Sequence, residues 1–230
     1  MIGIILLLLP KEIIEYRAKF GFFNVGKIVL ENKGIEWVNG RPAYHLRMFA
    51  RGGALGIRLY EDFHTWVDTS TFATIRFHKV QREPGWNYDV VIKYRNDTAY
   101  YRGTKNGEPV NLKYKIPRGA MDFVGMIYFI RKRGLSPEDT VRVPYHMDGF
   151  SGTAMIFVRG KKKCEWLNNK EICWSISPIV PVDRGKAREV LKNGGELLIS
   201  SSTFIPVKIK VGLKVGSVMG SIEKITQPPQ

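Results

Sequence analysis

The chain lacks the short motifs that usually announce an enzyme. Its 230 residues contain no P-loop, no GxGxxG, no HExxH, no CxxC and no GxSxG. Phosphate cradles, thermolysin-type zinc sites, dithiol redox centres and serine-hydrolase elbows are therefore each without their usual signature. Histidine is down to four residues, His45, His64, His78 and His146, scattered along the chain. Long apolar runs are also missing. The run at 1–9 (MIGIILLLL) is less than half the roughly 20 residues that a membrane-crossing helix needs. With a mean hydropathy of -0.17, an integral membrane protein is not expected. Internal repeats, low-complexity stretches and linkers are absent, which favours one domain over residues 11–226, preceded by an apolar segment at 1–10 and followed by a short tail at 227–230.

Acidic residues are in short supply: 21 Asp and Glu face 36 Lys and Arg, for a net charge of +15. Such an excess favours anionic partners, whether nucleic acid, lipid head groups, lipopolysaccharide or acidic glycans. Nucleic-acid surfaces usually cluster their Lys and Arg on one face or helix. Here the only short basic runs are Arg131–Arg133 and Lys161–Lys163, so nucleic acid is not expected, and the partner is sought among envelope lipids and glycans met peripherally.

What is present is alternation. In Ile14, Tyr16, Ala18, Phe20 and Phe22, apolar residues occupy every second position, the period of a half-buried strand. Turn residues then recur every 8–12 positions or so, at Asn24–Gly26, Asn39-Gly40, Arg51–Gly53, Asp68–Thr71, Glu83–Gly85, Asn96-Asp97 and Asn106-Gly107, an all-β signature. One stretch breaks the pattern. Between Pro117 and Thr140, Phe123, Val124, Met126, Ile127, Tyr128, Phe129 and Ile130 would cover every face of a helix, which must then be buried. Asp122 lies at its start, Arg131, Lys132 and Arg133 in its last turn, and Gly134 at its stop. Strands resume at 140–147, 152–158, 163–167 and 172–177. A short surface helix is expected over 183–191, and closing strands follow. The expected fold is mainly β: a curved, many-stranded antiparallel sheet, or an open barrel-like sheet, packed on one buried central helix at about 121–133.

Cysteine is limited to Cys164 and Cys173. A hairpin turning at Asn168-Asn169 would place them opposite each other on a non-hydrogen-bonded pair, at the separation a disulfide needs. A cross-strand disulfide is expected, and with it an oxidising compartment. The apolar segment at 1–10 has the length of a signal-peptide core but lacks a basic start and a small-residue cleavage site. It is either a remnant of an export signal or a first core strand.

Candidate chemistry is sparse. His64 and His78 can face each other across the Asp68–Thr71 turn with Asp62 nearby, a pattern that would suit a metal or acid/base site but more commonly marks paired surface residues. Asp62 and Asp68 would serve a glycosidase only if they faced each other across a cleft, about 5–10 Å apart. Ser200–Thr203 reads as a polar turn, with no base indicated for a nucleophile. No catalytic residue, metal or cofactor is assigned. The aromatic strands around Trp66 and Trp86 line either a filled core or a ligand pocket. Trp66 and Trp86, with Tyr128, Arg131 and Arg133 on the helix, are the candidate ligand contacts.

Several segments together resemble an exported bacterial family, domain of unknown function 3108. EYRAKFGFFNVGKIVLE is similar to its first hairpin. WVDTSTFATIRFHKVQREPGW is similar to its strand–Asp–turn–strand unit, with Asp68 at the acidic position. MDFVGMIYFIRKRGLSPEDTVRVPY resembles its central helix and following strand, with Asp122, Tyr128, Arg131 and Gly134 matching. ELLISSSTFIPVKIKV resembles its penultimate strands, with Pro206 in place. The region around the two cysteines is shorter than in many members. The resemblance implies export to the periplasm or cell envelope and a curved antiparallel sheet; it carries no catalytic residues. The function expected is a non-enzymatic envelope protein binding an amphipathic or anionic component (lipid, lipopolysaccharide or polysaccharide). The alternatives are a structural or assembly protein and, less favoured, an envelope hydrolase using Asp62, Asp68 or His64.

Overall fold

A computed structural model describes residues 11–54, 57–183, 186–189, 196–212 and 217–227. The expectations for residues 1–10 and for 228–230 lie outside the described residues. The strands are β1 (Ile13–Phe20), β2 (Phe23–Val38), β3 (Arg41–Ala54), β4 (Ile57–Asp68), β5 (Thr74–Glu83), β6 (Trp86–Arg95), β7 (Thr98–Lys105) and β8 (Glu108–Lys115). The helix α1 (Phe123–Arg133) follows, and then β9 (Thr140–Met147), β10 (Phe150–Trp166), β11 (Asn169–Asp183), β12 (Lys186–Glu189), β13 (Glu196–Ser200), β14 (Pro206–Gly212) and β15 (Ser217–Thr226). All pair antiparallel in one sheet of order β8-β7-β6-β5-β4-β3-β2-β1-β15-β14-β13-β11-β10-β9, with β12 beside β11. The fold is mainly β with a single helix among the described residues, as alternation and turn chemistry predict.

Most hairpins turn where the sequence places them. Asn39 and Gly40, Asn96, and Asn106 and Gly107 all take positive φ, the conformation that tight hairpins require. Three expectations need correction. The first hairpin turns at Gly21-Phe22, and Asn24–Gly26 is instead a bulge within β2. At Gly52 the chain does not break. β3 runs through it because a Cβ there would strike the Val25 carbonyl, so glycine is what permits the close β2–β3 approach. The expected helix over 183–191 is not found in its described part: Lys186–Glu189 pairs with β11 as a strand.

The helix lies on the inner side of the sheet. Val124, Met126, Tyr128 and Ile130 join Leu46, Phe63, Val67, Phe77, Ile92 and Ile156 in one apolar cluster that fills this side. Both ends of the helix are fixed by buried charge. At its start Asp122 is the N-cap: Oδ1 accepts from the Val124 and Gly125 amides at 2.8 and 2.9 Å. Oδ2 accepts from the Thr65 hydroxyl of β4 at 2.5 Å and the Thr74 hydroxyl of β5 at 2.6 Å. Burial pushes the Asp122 carboxyl pKa up, and these four donors oppose that shift. Gly125 lets the first turn press onto β4, since a Cβ there would sit 2.9 Å from Val67 Cγ1. At the far end Arg131 makes a bidentate pair with Glu12 at 2.6 and 3.0 Å, both side chains buried.

The outermost strands β8 and β9 share no ladder among the described residues. Side chains bridge that seam instead. Tyr101 of β7 meets His146 Nε2 at 2.8 Å, His146 Nδ1 meets Ser151 Oγ at 2.7 Å, and Ser151 donates to the Lys115 carbonyl at 3.3 Å. His146 is fully buried there. The sheet is therefore barrel-like but unclosed, laced by polar side chains.

Cys164 and Cys173 form the expected disulfide, with Cα atoms 5.8 Å apart. The register differs from expectation. The turn falls on Leu167-Asn168, both at positive φ, so Cys164 faces Glu171 and Cys173 faces Lys162. The cysteines are diagonal neighbours on one face, which a disulfide tolerates because the two-residue offset keeps both side chains on the same side.

Replacing Asp122 removes an N-cap worth about 1 kcal/mol and leaves two buried hydroxyls without their acceptor, at about 1–3 kcal/mol each. Asp122→Ala is expected to lower unfolding free energy by about 3 kcal/mol or more in urea titration. A loss below about 1 kcal/mol would contradict the anchoring role.

Candidate functional site

The residues singled out from sequence do not form one site, although the Arg131 guanidinium lies 5.3 Å from the Tyr128 ring centroid. Arg131 is neutralised inside by Glu12, so the helix exit is not an open cationic rim, because its register turns that side chain inward. Tyr128 is fully buried, and its hydroxyl has no hydrogen-bond partner among the described residues. Arg133 is exposed but paired with Asp139 at 2.6 Å. Trp86 stands half-exposed at the β5–β6 turn, stacked on Tyr88 with ring centroids 5.9 Å apart. Trp66 lies on the outer face of β4, stacked on His45 at 4.4 Å.

The histidine expectation is partly met. His64 and His78 face each other across β4–β5, with ring centroids 6.4 Å apart. They belong to a longer chain of polar contacts. Glu36 accepts from Trp66 Nε1 at 2.8 Å and lies 2.7 Å from His45 Nδ1. His45 Nε2 is 2.8 Å from His64 Nδ1, and His64 Nε2 is 3.3 Å from Asp62. Asp62 takes a bidentate pair from Arg47 at 2.7 and 2.8 Å. A carboxylate only accepts, so the network assigns a proton to His45 Nδ1, leaving His45 Nε2 to accept from His64 Nδ1. Burial keeps both rings neutral, pushing the His45 pKa down and that of His64 down to about 4, so His64 Nε2 carries no proton and its approach to Asp62 is not a hydrogen bond. Asp62 and Asp68 lie six residues apart on one strand, about 20 Å at strand rise. Asp68 is occupied by its own turn, accepting from the amides of Ser70 and Thr71 at 3.0 Å each. The facing-carboxylate geometry of a glycosidase is therefore not met by this pair.

A different surface is assembled by strand register. One transverse row on the outer face reads His45, Trp66, Arg76, Lys93, Tyr100 and Lys113, each directly opposite the next on β3 to β8. Five inter-strand steps make it about 24 Å long. Cations and rings interleave along it: Arg76 Cζ is 4.5 Å from the Trp66 ring, and Lys113 Nζ is 5.6 Å from the Tyr100 ring. A bulge puts Arg76 in this row. Val67 pairs with Thr74 and Trp66 with Arg76, so Ile75 is the extra residue, turning outward onto Trp66 and Ala43. Two-residue alternation along β5 is broken at this point. Thr74 faces inward to Asp122, and Arg76 faces out.

Two concavities flank the row and share Arg95. One, of about 650 Å³, is lined by Arg76, Val91, Lys93, Arg95, Tyr100 and Arg102, with no carboxylate in its wall. The other, of about 700 Å³, has Arg41, Arg95 and Arg118 on its rim above Ile75, Tyr94 and Ala120, with Asp68 its one acidic residue. Arg41, Arg76, Lys93, Arg95, Arg102 and Arg118 make no salt bridge among the described residues, and Arg76 Nε is buried without a partner. Composition signalled the excess charge. It could not show this track, because its members come from separate strands and only register aligns them.

The family described as Protein of unknown function (DUF3108) matches residues 15–223. The chain belongs to that family. Among solved structures, the crystal structure of a beta-barrel-like protein of domain of unknown function DUF1849 from Brucella abortus is similar, at 10% identity and a TM-score of 0.61, covering 97% of this chain and 100% of that one. At that identity the likeness concerns the fold alone. No curated protein matches the chain.

Three groups with large shifts, His64, His146 and Glu61, contribute most to the pH response in mild acid. Burial pushes His64 and His146 down to about 4 from 6.5. Burial, with the nearby Glu83 charge, pushes Glu61 up to about 7 from 4.5. Between about pH 4.5 and 6.5 the unfolded chain gains up to two protons on the histidines that the native state does not bind. The native state holds one on Glu61 that the unfolded chain has released. The balance is about one extra proton on the unfolded side, so stability should fall by about 1.4 kcal/mol per pH unit as pH drops through this window. Urea midpoints at the two ends of the window test this; a flat or rising profile on acidification would contradict it.

Proposed function

We propose that this protein is a non-catalytic module of the cell envelope that binds an anionic glycan, either a free acidic polysaccharide or the sugar-phosphate portion of lipopolysaccharide. The observation that carries the reading is the outer row of Arg76, Lys93, Tyr100 and Lys113, bordered by Arg95 and Arg102, with unpaired cations and no acidic residue in the adjoining groove wall. Cations supply attraction to carboxylate or phosphate groups, and an aromatic ring such as Tyr100 offers an apolar face to a sugar. Length supports a chain ligand over a small one, since the row spans about 24 Å. Export to an oxidising compartment is supported by the Cys164–Cys173 disulfide. An assembly protein is the second reading. It is favoured by the outer edges of β8 and β9, whose backbone groups no neighbouring strand pairs among the described residues.

Polygalacturonate and lipopolysaccharide serve as anionic probes in fluorescence titration, with dextran as the neutral control. Both anionic probes should bind, weakening as salt rises, and dextran should not. Arg76→Glu with Lys93→Glu should weaken binding at least about tenfold, as expected for losing and reversing two close charge contacts. Equal binding of dextran, or unchanged affinity in the double variant, would overturn the reading.

A further inference from the structure

A second surface lies at the hairpin edge of the sheet, away from the cationic row. Three turns reach this edge: Gly21-Phe22 between β1 and β2, Pro84-Gly85 between β5 and β6, and Asn106-Gly107 between β7 and β8. Register keeps them level. Gly26 faces Gly52, Ala54 faces Ile57, Tyr60 faces Arg82, and Tyr88 faces Lys105, so each turn lies a few residues beyond a paired position. The last two turns are also tied together. Asn106 donates from its backbone to the Asn87 carbonyl at 2.6 Å, accepts from the Asn87 amide at 2.7 Å through Oδ1, and donates through Nδ2 to the Gly85 carbonyl at 3.1 Å.

This edge exposes aromatics that the fold has no use for. Phe22 is 100% exposed, Phe23 75% and Trp86 52%. Large apolar side chains at loop tips indicate contact with something other than water. The charge around them indicates what. Lys19, Arg51, Arg58 and Lys105 stand at the same edge with no salt bridge among the described residues, while Lys27 and Arg82 are paired with Glu15 and Asp89. Lys105 Nζ sits 5.4 Å from both the Trp86 and Tyr88 rings, so a cation is fixed beside an exposed indole. Besides Glu15 and Asp89, the acidic residues here are Glu83, which accepts from Gln81 at 2.6 Å, and Glu108. Rings that sit at the head-group level, flanked by Lys and Arg, match the chemistry of an anionic bilayer surface.

We infer that the edge carrying Phe22, Phe23 and Trp86 docks on the surface of an anionic lipid bilayer, with the rings at head-group depth and Lys19, Arg51, Arg58 and Lys105 facing lipid phosphates. The contact is peripheral: the aromatic turns enter the interface and the sheet stands above it. It uses a face separate from the Arg76–Lys93 row, so it does not rest on the glycan reading.

Co-sedimentation of the full chain with phosphatidylcholine vesicles, with and without phosphatidylglycerol, tests this inference. Binding is expected only with phosphatidylglycerol, accompanied by a blue shift of tryptophan emission that Trp86→Phe abolishes. Phe22→Ser combined with Phe23→Ser alters exposed positions and should leave folding intact while weakening vesicle partitioning at least about tenfold. Arg51→Ala with Arg58→Ala should weaken it as well. Arg76→Ala with Lys93→Ala should leave it unchanged, and the Phe variants should leave polygalacturonate binding unchanged, so failure of either proposal is visible separately. Equal sedimentation with neutral vesicles, or unimpaired binding by the double Phe variant, overturns the inference. So does concentration-dependent dimerisation abolished by the same variant without vesicle binding, which would mean the edge serves a second copy of this chain.

Discussion

The carboxylate of Asp122 is the contact on which the rest depends. It caps the start of the helix, and it also holds Thr65 and Thr74 on neighbouring strands at 2.5 and 2.6 Å. A buried carboxylate is costly unless its lone pairs are satisfied, and four donors from three elements satisfy this one. Drawing Thr74 inward has a consequence on the opposite side of the sheet. The strand must then take its bulge at Ile75, and the bulge brings Arg76 out over Trp66. An interior hydrogen bond thus fixes the phase of an exterior row of charge.

The helix needs its second anchor for the same reason. Arg131 and Glu12 are buried together, so each requires the other. The guanidinium lies on the helix and the carboxylate on the segment leading into β1, at the middle of the sheet order. The two anchors leave the helix little freedom to slide, and the apolar cluster between them fills the inner side. The seam between β8 and β9 is handled differently. It is bridged by polar side chains, Tyr101, His146 and Ser151, and acid would break that bridge, because His146 must stay neutral to accept from Tyr101.

Sequence patterns foretell much of this. The helix is legible because Phe123 to Ile130 breaks the two-residue period, and its limits are legible from Asp122 and Gly134. Hairpins at Asn39-Gly40 and Asn106-Gly107 are legible because positive φ demands those residues. The disulfide is legible but its register is not: Leu167 takes a positive φ that Asn169 would have been assigned on propensity alone. The bulge at Ile75 is illegible for a physical reason, since it answers to Asp122, 47 residues further on. The cationic row is hidden for the same kind of reason. Arg76, Lys93, Tyr100 and Lys113 are ordinary outward residues on their own strands and become neighbours only through pairing. Arg131, conspicuous in a basic run, turns out to be internal.

On the proposed reading, the unpaired cations of the outer row receive the anionic ligand and the buried Arg131 does not. The most direct measurement follows arginine Nε–H resonances by NMR while polygalacturonate is added. Arg76, Arg95 and Arg102 should shift together, in a salt-dependent manner, while Arg131, held by Glu12, stays in place. Movement of Arg131 with Arg76 and Arg95 unmoved would contradict it.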